Sequence, residues 1–375
     1  MGPLRFVGIV AVTGVLWVST LHQLFRVPPR SLVPALTQRQ LEYWRSGEME
    51  REALRRSNPE WDLMSRTFSV LAFANLALEQ ASERPEYLAV IDRILTSTID
   101  DERVADVYLL PYVHSGRFRD AQARSLFVEG EVALMLAARQ TVQPAVQWQE
   151  PLRERVERIA AQLERGPVLS GESYPDEAWT FCNTIALAAL RASQALGGPD
   201  HSALLARWVA TAKARLLEPR TGLLVSSFTW QGAPRDGPEG SSLWLAAHML
   251  QLIDAPFAAD QYRRARQALV SEALGFAWAR EWPEAHGGPD DVDSGPTVPL
   301  VQANAGSSGL LVLGAAAFDD EELLTELVTS LRFAAFPVRR GEGLAFAAGN
   351  QLADAVLLYA LVQGPLWRRL GEVHS

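Results

Sequence analysis

Apolar positions fall along this chain in two alternating patterns. Six stretches are apolar on every side and rich in alanine: Leu63–Leu78, Leu126–Ala138, Glu177–Ala192, Ser241–Ile253, Ala303–Ala317 and Leu344–Val362. A helix hydrophobic all round has no face to give to water, so each predicts an inner helix. Between them run segments with one apolar stripe and one charged face. Leu88, Ile91, Ile94 and Leu95 form one, and Leu152, Val156, Ile159 and Leu163 another. Leu204, Leu205, Trp208, Val209, Ala212 and Leu216 form a third. Tyr262, Ala265, Leu269, Ala273 and Phe276 follow, then Leu323, Leu324, Leu327, Val328 and Leu331. These predict outer helices, and the stretch around Leu41, Trp44 and Leu54 supplies a sixth.

Inner and outer helices alternate with a period of roughly 50 to 60 residues, the length of a two-helix unit with long loops. An open array of such units would leave the apolar faces of its end repeats in water unless capped. The reading adopted is therefore an all-α fold, a closed six-hairpin (α/α)6 toroid, with an open helical array as the alternative. Proline and glycine clusters fall between helices rather than in one linker, so residues 31–375 read as a single domain.

Ahead of it, Phe6 to Leu24 is an apolar run bounded by Arg5 and Arg26, long enough as a helix to cross a bilayer. No small-x-small cleavage site follows it, Val18-Ser19-Thr20 being a poor substitute. Residues 1–30 are thus expected to be an uncleaved, single-pass N-terminal anchor, with residues 6–24 in the membrane and the soluble domain outside the cytoplasm. A cleaved signal peptide is the alternative. Arginines on both flanks leave the orientation weakly specified. A formal net charge of −9 and the lack of a concentrated basic face argue against a nucleic-acid partner. One cysteine, Cys182, excludes an internal disulfide framework. Nothing in the sequence sets an oligomeric state.

The N-termini of inner helices carry unpaired amide donors that favour acidic groups, so the mouth of a toroid is where polar residues would gather. The candidates are Trp61 and Asp62 at the first inner helix, Glu129 and Glu131 in the second, and Tyr174, Asp176, Glu177, Trp179 and Cys182 at the third. Glu239 and Trp244 mark the fourth, Asp291 and Asp293 the fifth, and Asn350 and Asp354 the sixth. A carboxylate in apolar surroundings holds its proton more tightly and suits general acid work. Taken singly, Asp176 and Asp293 also stand where helix caps stand, and Glu131 could pair with Arg124 or Arg139. Tyr112 and His114 lie in the loop before the second inner helix, whereas His248 reads as a core histidine. Asp291-x-Asp293-Ser294-Gly295 has Pro296 and Gln302 where a calcium loop needs glycine and glutamate, and no histidine pair has zinc spacing. No phosphate loop, dinucleotide fingerprint or nucleophile elbow is present, so no cofactor or metal is expected. Eleven tryptophans supply aromatic walls for a small-molecule substrate in the central cavity.

Asp62 with Phe68 six residues later, and Cys182 with Ser173 nine residues earlier, resemble the bacterial α/α-toroid family containing linalool dehydratase/isomerase. That family's cavity has an aspartate followed at six by a tyrosine and two cysteines nine apart, so half of each pair differs here. The resemblance implies a lyase or isomerase acting on a hydrophobic alcohol or isoprenoid-like substrate. Asp62, Asp176, Glu177, Cys182 and Glu131 would handle protons, Asp291 and Asp293 would orient substrate, and Tyr174 would stand in for the missing phenol. Phenylalanine cannot relay a proton, and serine is a poorer acid than a thiol. Two other readings stand beside it: a carbohydrate-active toroid enzyme using a carboxylic acid and a carboxylate, and a non-catalytic membrane-tethered scaffold.

Overall fold

The chain begins with helix α1 (Pro3–Thr20), whose residues are exposed along its length and whose window Arg5–Leu24 has a mean hydropathy of 1.6. It is long and apolar enough to cross a membrane. The structure, a computed structural model, describes residues 2–104, 106–289, 291–292 and 294–371, without the side chains of residues 4, 291 and 292. After α1 come α2 (Val33–Ser46), α3 (Glu48–Ser57), α4 (Pro59–Glu79) and α5 (Arg84–Asp101). Then follow α6 (Leu126–Val142), α7 (Val146–Arg165), α8 (Thr180–Ala195), α9 (Ser202–Arg215), α10 (Gly240–Leu250) and α11 (Ala255–Leu269). The chain finishes with α12 (Ala305–Ala317), α13 (Glu321–Ala334), α14 (Gln351–Val362) and α15 (Pro365–Gly371).

The even-numbered helices from α4 to α14 form the inner ring. Each packs on the next, and α14 returns to pack on α4, so the ring closes. The reason is legible in burial: α4 is buried on every side from Leu63 to Ala77, apart from Met64, whereas α7 buries the stripe Trp148, Leu152, Val156, Ile159 and Leu163 and gives its other face to water. Each such aliphatic side chain taken from water contributes about 1.5–3 kcal/mol. Gly130 lets α6 approach α8 closely, since a Cβ there would lie 3.3 Å from that of Ala186.

Connections from inner to outer helix are short, as in residues 80–83, 143–145 and 318–320, while those from outer to inner are long, spanning residues 102–125, 166–179, 216–239, 270–304 and 335–350. All the short strands lie in these long connections or at their ends, so one end of the ring carries an elaborate mouth. The opposite end is plugged. Helix α15 packs on α4, α6 and α8, burying Leu366, Trp367 and Leu370, and its Leu366 N–H donates to Asn75 Oδ1 at 2.9 Å.

Several expected boundaries shift for physical reasons. Leu344–Phe346 belongs to a hairpin strand paired with residues 337–340, and α14 starts only where Asn350 accepts the Ala353 N–H at 3.0 Å. The stripe expected to run through Ala273 and Phe276 ends at Leu269, because Ala273 and Phe276 face each other across a hairpin turned by Leu274 and Gly275, both at positive φ. The outer helix expected from Leu41 to Leu54 is broken at Gly47 into α2 and α3. The N-cap side chains of the inner helices are amides and a hydroxyl rather than acids. Asn58, Ser125, Asn304 and Asn350 cap α4, α6, α12 and α14, while Asp176 sits at a turn with φ 58° and caps nothing, α8 beginning after Trp179.

Candidate active site

Glu131 lies in the second turn of α6 and faces the ring interior between Thr67 of α4 and Cys182 of α8. It is 1% exposed, and neither carboxylate oxygen makes a hydrogen bond of good geometry, the Thr67 hydroxyl being a nearby polar group. Burial therefore pushes its pKa up to about 7, and the Thr67 hydroxyl offsets only part of that. A carboxyl so placed is about half protonated at neutral pH, against almost none for an ordinary glutamate, and the protonated form is what a general acid needs.

Around it the third inner helix and its leading loop place Cys182, Ser173 and Tyr174. Burial drives the Cys182 thiol well up, with Glu131, Glu60 and Glu177 adding to it and the Ser173 hydroxyl opposing. The thiol thus stays protonated and is not a thiolate nucleophile. Tyr174 is 5% exposed and also raised by burial, then by Glu60, to which its hydroxyl bonds. Its ring lies 6.1 Å from that of Tyr112 and 6.5 Å from that of Phe127. Glu60 was not singled out from the sequence, since a first-turn glutamate reads as a helix-dipole residue, and Ser173 entered only as the residue standing where the resemblance has a second cysteine.

Above this buried group, the loop from Tyr174 to Glu177 folds back on itself through paired backbone bonds of 3.0 and 2.9 Å. It is held by Glu172, fully buried, whose carboxylate accepts the backbone N–H groups of Arg119, Asp120 and Asp176 at 2.9, 3.0 and 2.6 Å. Asp176 is half-buried and bonded to Arg119 at 3.1 Å, with Arg235 at 3.5 Å. Partial burial raises its pKa, but Arg119, the Trp230 N–H and Arg235 outweigh that and hold it below the usual range. Glu177 accepts the Trp179 indole N–H, and Arg235 lies 3.8 Å away. Trp61 and Trp179 are half-buried, and Tyr112 and His114 are exposed. Rim and floor thus differ. Carboxylates beside arginines lie above, a carboxyl of raised pKa below.

A second acidic pair stands at the start of α10. Burial, then Glu281 and Asp236, push Glu239 up to about 8, and burial raises Glu281 as well. Glu281 accepts from the Ser241 hydroxyl and, at 3.3 Å, the Ser241 N–H, so it closes the N-terminus of α10 from another loop. No periodicity in the sequence links residue 281 to residue 241.

Other expected site residues lie elsewhere. Asp62 is fully buried on the outward side of α4, where Arg55 binds it at 2.8 Å and Arg66 at 3.3 Å, in a knot that includes Asp101, Tyr108 and Thr98. Its carboxylate is spent on two guanidinium groups. Glu129 points between α6 and α7 onto Arg155 and Arg158, each at 3.2 Å. Glu129 and Glu131, two apart on a helix, face opposite ways. Trp244 is core, donating to Ser307 Oγ at 3.1 Å with its ring 6.1 Å from that of Tyr262. Asp293 and the side chain of Asp291 lie outside the described residues. The expected central cavity is filled at the depth of Glu131 and Cys182, both 1% exposed. Two cavities open instead on the outer layer, about 170 Å³ beside Arg124, Glu129 and Arg158 and about 490 Å³ beside Arg191, Lys213 and Asp254.

The fold has known counterparts. An unsaturated glucuronyl hydrolase of Bacillus sp. GL1, described as responsible for the degradation of glycosaminoglycan, superposes at a TM-score of 0.53 with 11% identity, over 82% of this chain and 87% of that one. A variant described as UGL with dGlcA-Glc-Rha-Glc gives 0.53 and 12% over the same shares. A GH76 α-mannanase of Bacteroides thetaiotaomicron gives 0.47 and 10% over 82% and 86%. The chain is an α/α toroid. No family model and no curated sequence matches it.

Proposed function

We propose that this toroid is a carbohydrate-active enzyme, tethered by α1, that cleaves a glycosidic bond at the mouth of its ring. The observation that carries the reading is Glu131, a carboxyl whose pKa burial raises to about 7 in the ring interior, while Asp176, held below the usual range, and half-buried Glu177 stand at the rim above. Glycosidic cleavage calls for such a pair, one carboxyl giving a proton to the leaving oxygen and one carboxylate acting on the sugar or on water. Glu131 is assigned the acid role, with Tyr174 and Cys182 as its proton-bearing neighbours. Asp176 and Glu177 are assigned to the carboxylate side, oriented by Arg119 and Arg235. Trp61, Trp179 and Tyr112 offer flat faces for pyranose rings. The likeness in fold to a glycan-degrading hydrolase supports this reading over chemistry on a small alcohol.

Because Glu131 lies beneath the rim, substrate must part the rim side chains to reach it. Turnover of fluorogenic glycosides and of polysaccharide fragments by the full chain tests the proposal. Glu131→Gln should abolish cleavage, by a factor of about 10² or more, while leaving the fold intact. Hydrolysis undiminished in Glu131→Gln, or no cleavage of any glycan class by the wild type, would remove it.

A second reading keeps the lyase or isomerase on a hydrophobic alcohol. It draws on the half-buried apolar residues Met64, Val128, Phe181, Leu310 and Leu352, which lie in the first two turns of their inner helices. Its weak point is Asp62, which the resemblance makes a proton carrier and which the Arg55–Arg66 knot occupies. Terpenoid alcohols offered alongside the glycosides decide between the two.

A further inference from the structure

Helix α1 ends at Thr20, and the residues directly after it are bound to the toroid with no slack. Phe25 packs its ring 5.2 Å from that of Phe333, which lies 5.3 Å from Phe276, which in turn lies 6.3 Å from His22. Arg332 in the last turn of α13 donates to the Phe25 carbonyl at 2.5 Å. Gly275 is pressed so closely on His22 that a Cβ would lie 2.6 Å from the imidazole. If α1 spans a bilayer, the part of the domain that grips His22 and Phe25 must sit at the lipid surface. This attachment lies at the mouth end of the ring, because the last turn of α13 leads through the 337–346 hairpin into the N-terminus of α14.

The surface around that attachment has the composition of a lipid-facing one. Leu24 is 70% exposed, Leu274 54%, Phe336 65% and Leu300 100%. Leu274 and Leu300 stand at the tips of the 270–279 and 295–304 loops, which are joined by a bond of 2.8 Å from the Trp278 indole N–H to the Val301 carbonyl. Leu274, Leu300 and Phe336 also adopt φ of 54°, 71° and 52°, a region where large side chains are strained and glycine or asparagine fits better. Three bulky apolar residues in strained turns, all exposed and all on one face, are costly in water on both counts. In lipid the side chains gain what the turns lose. Arg26, Arg339 and Arg340 are exposed near them, Arg26 close to Glu326 and Arg340 3.6 Å from Glu50. Other exposed apolar residues, such as Val146 and Leu196, are isolated.

We infer that the mouth-end face bearing Leu24, Leu274, Leu300 and Phe336 rests on the lipid bilayer that α1 enters, so that the ring opens beside the membrane surface and not away from it. The inference is independent of which reaction the site performs, but it requires α1 to be membrane-inserted.

The test uses the full chain in phosphatidylcholine vesicles containing phosphatidylglycerol. Leu274→Cys, Leu300→Cys and Phe336→Cys are each labelled with a fluorophore, as is Leu196→Cys at the opposite end of the ring as reference. Cys182 stays in place, since its thiol is buried. Spin-labelled acyl chains should quench the first three labels and leave Leu196→Cys bright. Equal brightness at all four positions, quenching of Leu196→Cys to the same degree, or a chain that does not enter vesicles at all would each overturn the inference.

Discussion

The hydroxyl of Tyr359 lies 2.6 Å from Nε2 of His248, a bond that ties α14 to α10 across the helix that separates them in the ring. The other imidazole nitrogen faces Gln251 Oε1 at 3.1 Å, and the Gln251 amide is itself oriented by donating to the Ala317 carbonyl at 2.7 Å. Nδ1 thus carries the proton and Nε2 accepts. Burial lowers the His248 pKa to about 4, so the ring stays neutral and the bond persists at physiological pH. Tyr359→Phe should leave the fold intact and cost about 1–2 kcal/mol, read as a lowered denaturation midpoint. An unchanged midpoint would show that this bond holds nothing.

Stability should fall as pH rises from mildly acidic to mildly alkaline. Glu131, Glu239 and Asp354 have folded pKa values raised from the ordinary carboxyl range to about 7, 8 and 7. The stability each contributes is present below its unfolded pKa and is lost as pH climbs through its folded one. His248, lowered from 6.5 to about 4, acts in the opposite sense and weakens the fold only as pH falls through that window. Urea midpoints measured between about pH 5.5 and 8.5 should therefore decline with rising pH. Over that range Glu131→Gln should flatten the decline by on the order of 2 kcal/mol, at about 1.4 kcal/mol per pH unit between about 5.5 and about 7. A profile rising toward pH 8.5 would contradict this.

Asp62 should prove structural. Its removal leaves Arg66, 2% exposed, facing Arg55 without the carboxylate between them. Breaking one side of a buried ion pair costs about 3–5 kcal/mol, so Asp62→Asn should unfold many degrees earlier than the wild type. A variant with an unchanged melting temperature and no turnover would instead return Asp62 to the reaction.

The plug should matter as much as the ring. The Trp367 indole stacks 4.6 Å from His248 with planes 13° apart, and α15 closes the end of the ring opposite the mouth. Trp367→Ala should cost about 3–5 kcal/mol. Loss of the plug should also admit a hydrophobic dye such as ANS to the ring interior, and a variant that neither destabilises nor binds dye would mean that α15 packs on a ring already sealed.

The period of the apolar pattern determined the helical hairpins, because an α-helix buried on all sides and one buried on a single stripe carry different residues along their length. Leu63 to Leu78 and the stripe from Leu152 to Leu163 announce their layers without reference to anything distant. The apolar run at Phe6–Leu24 announced itself in the same way, by local composition. Orientation around each inner helix and partnership between loops were decided only in three dimensions. Glu129 and Glu131 look alike in sequence, yet one meets arginines of α7 and the other meets Thr67 and Cys182 inside the ring. Glu281 closes the start of a helix that begins some forty residues earlier in the chain, and Glu172 gathers N–H groups from residues on both sides of α6 and α7. Such pairings depend on where the ring brings remote segments together. A carboxylate's charge state follows from those neighbours and from the water they exclude, and neither is written in its own stretch of chain.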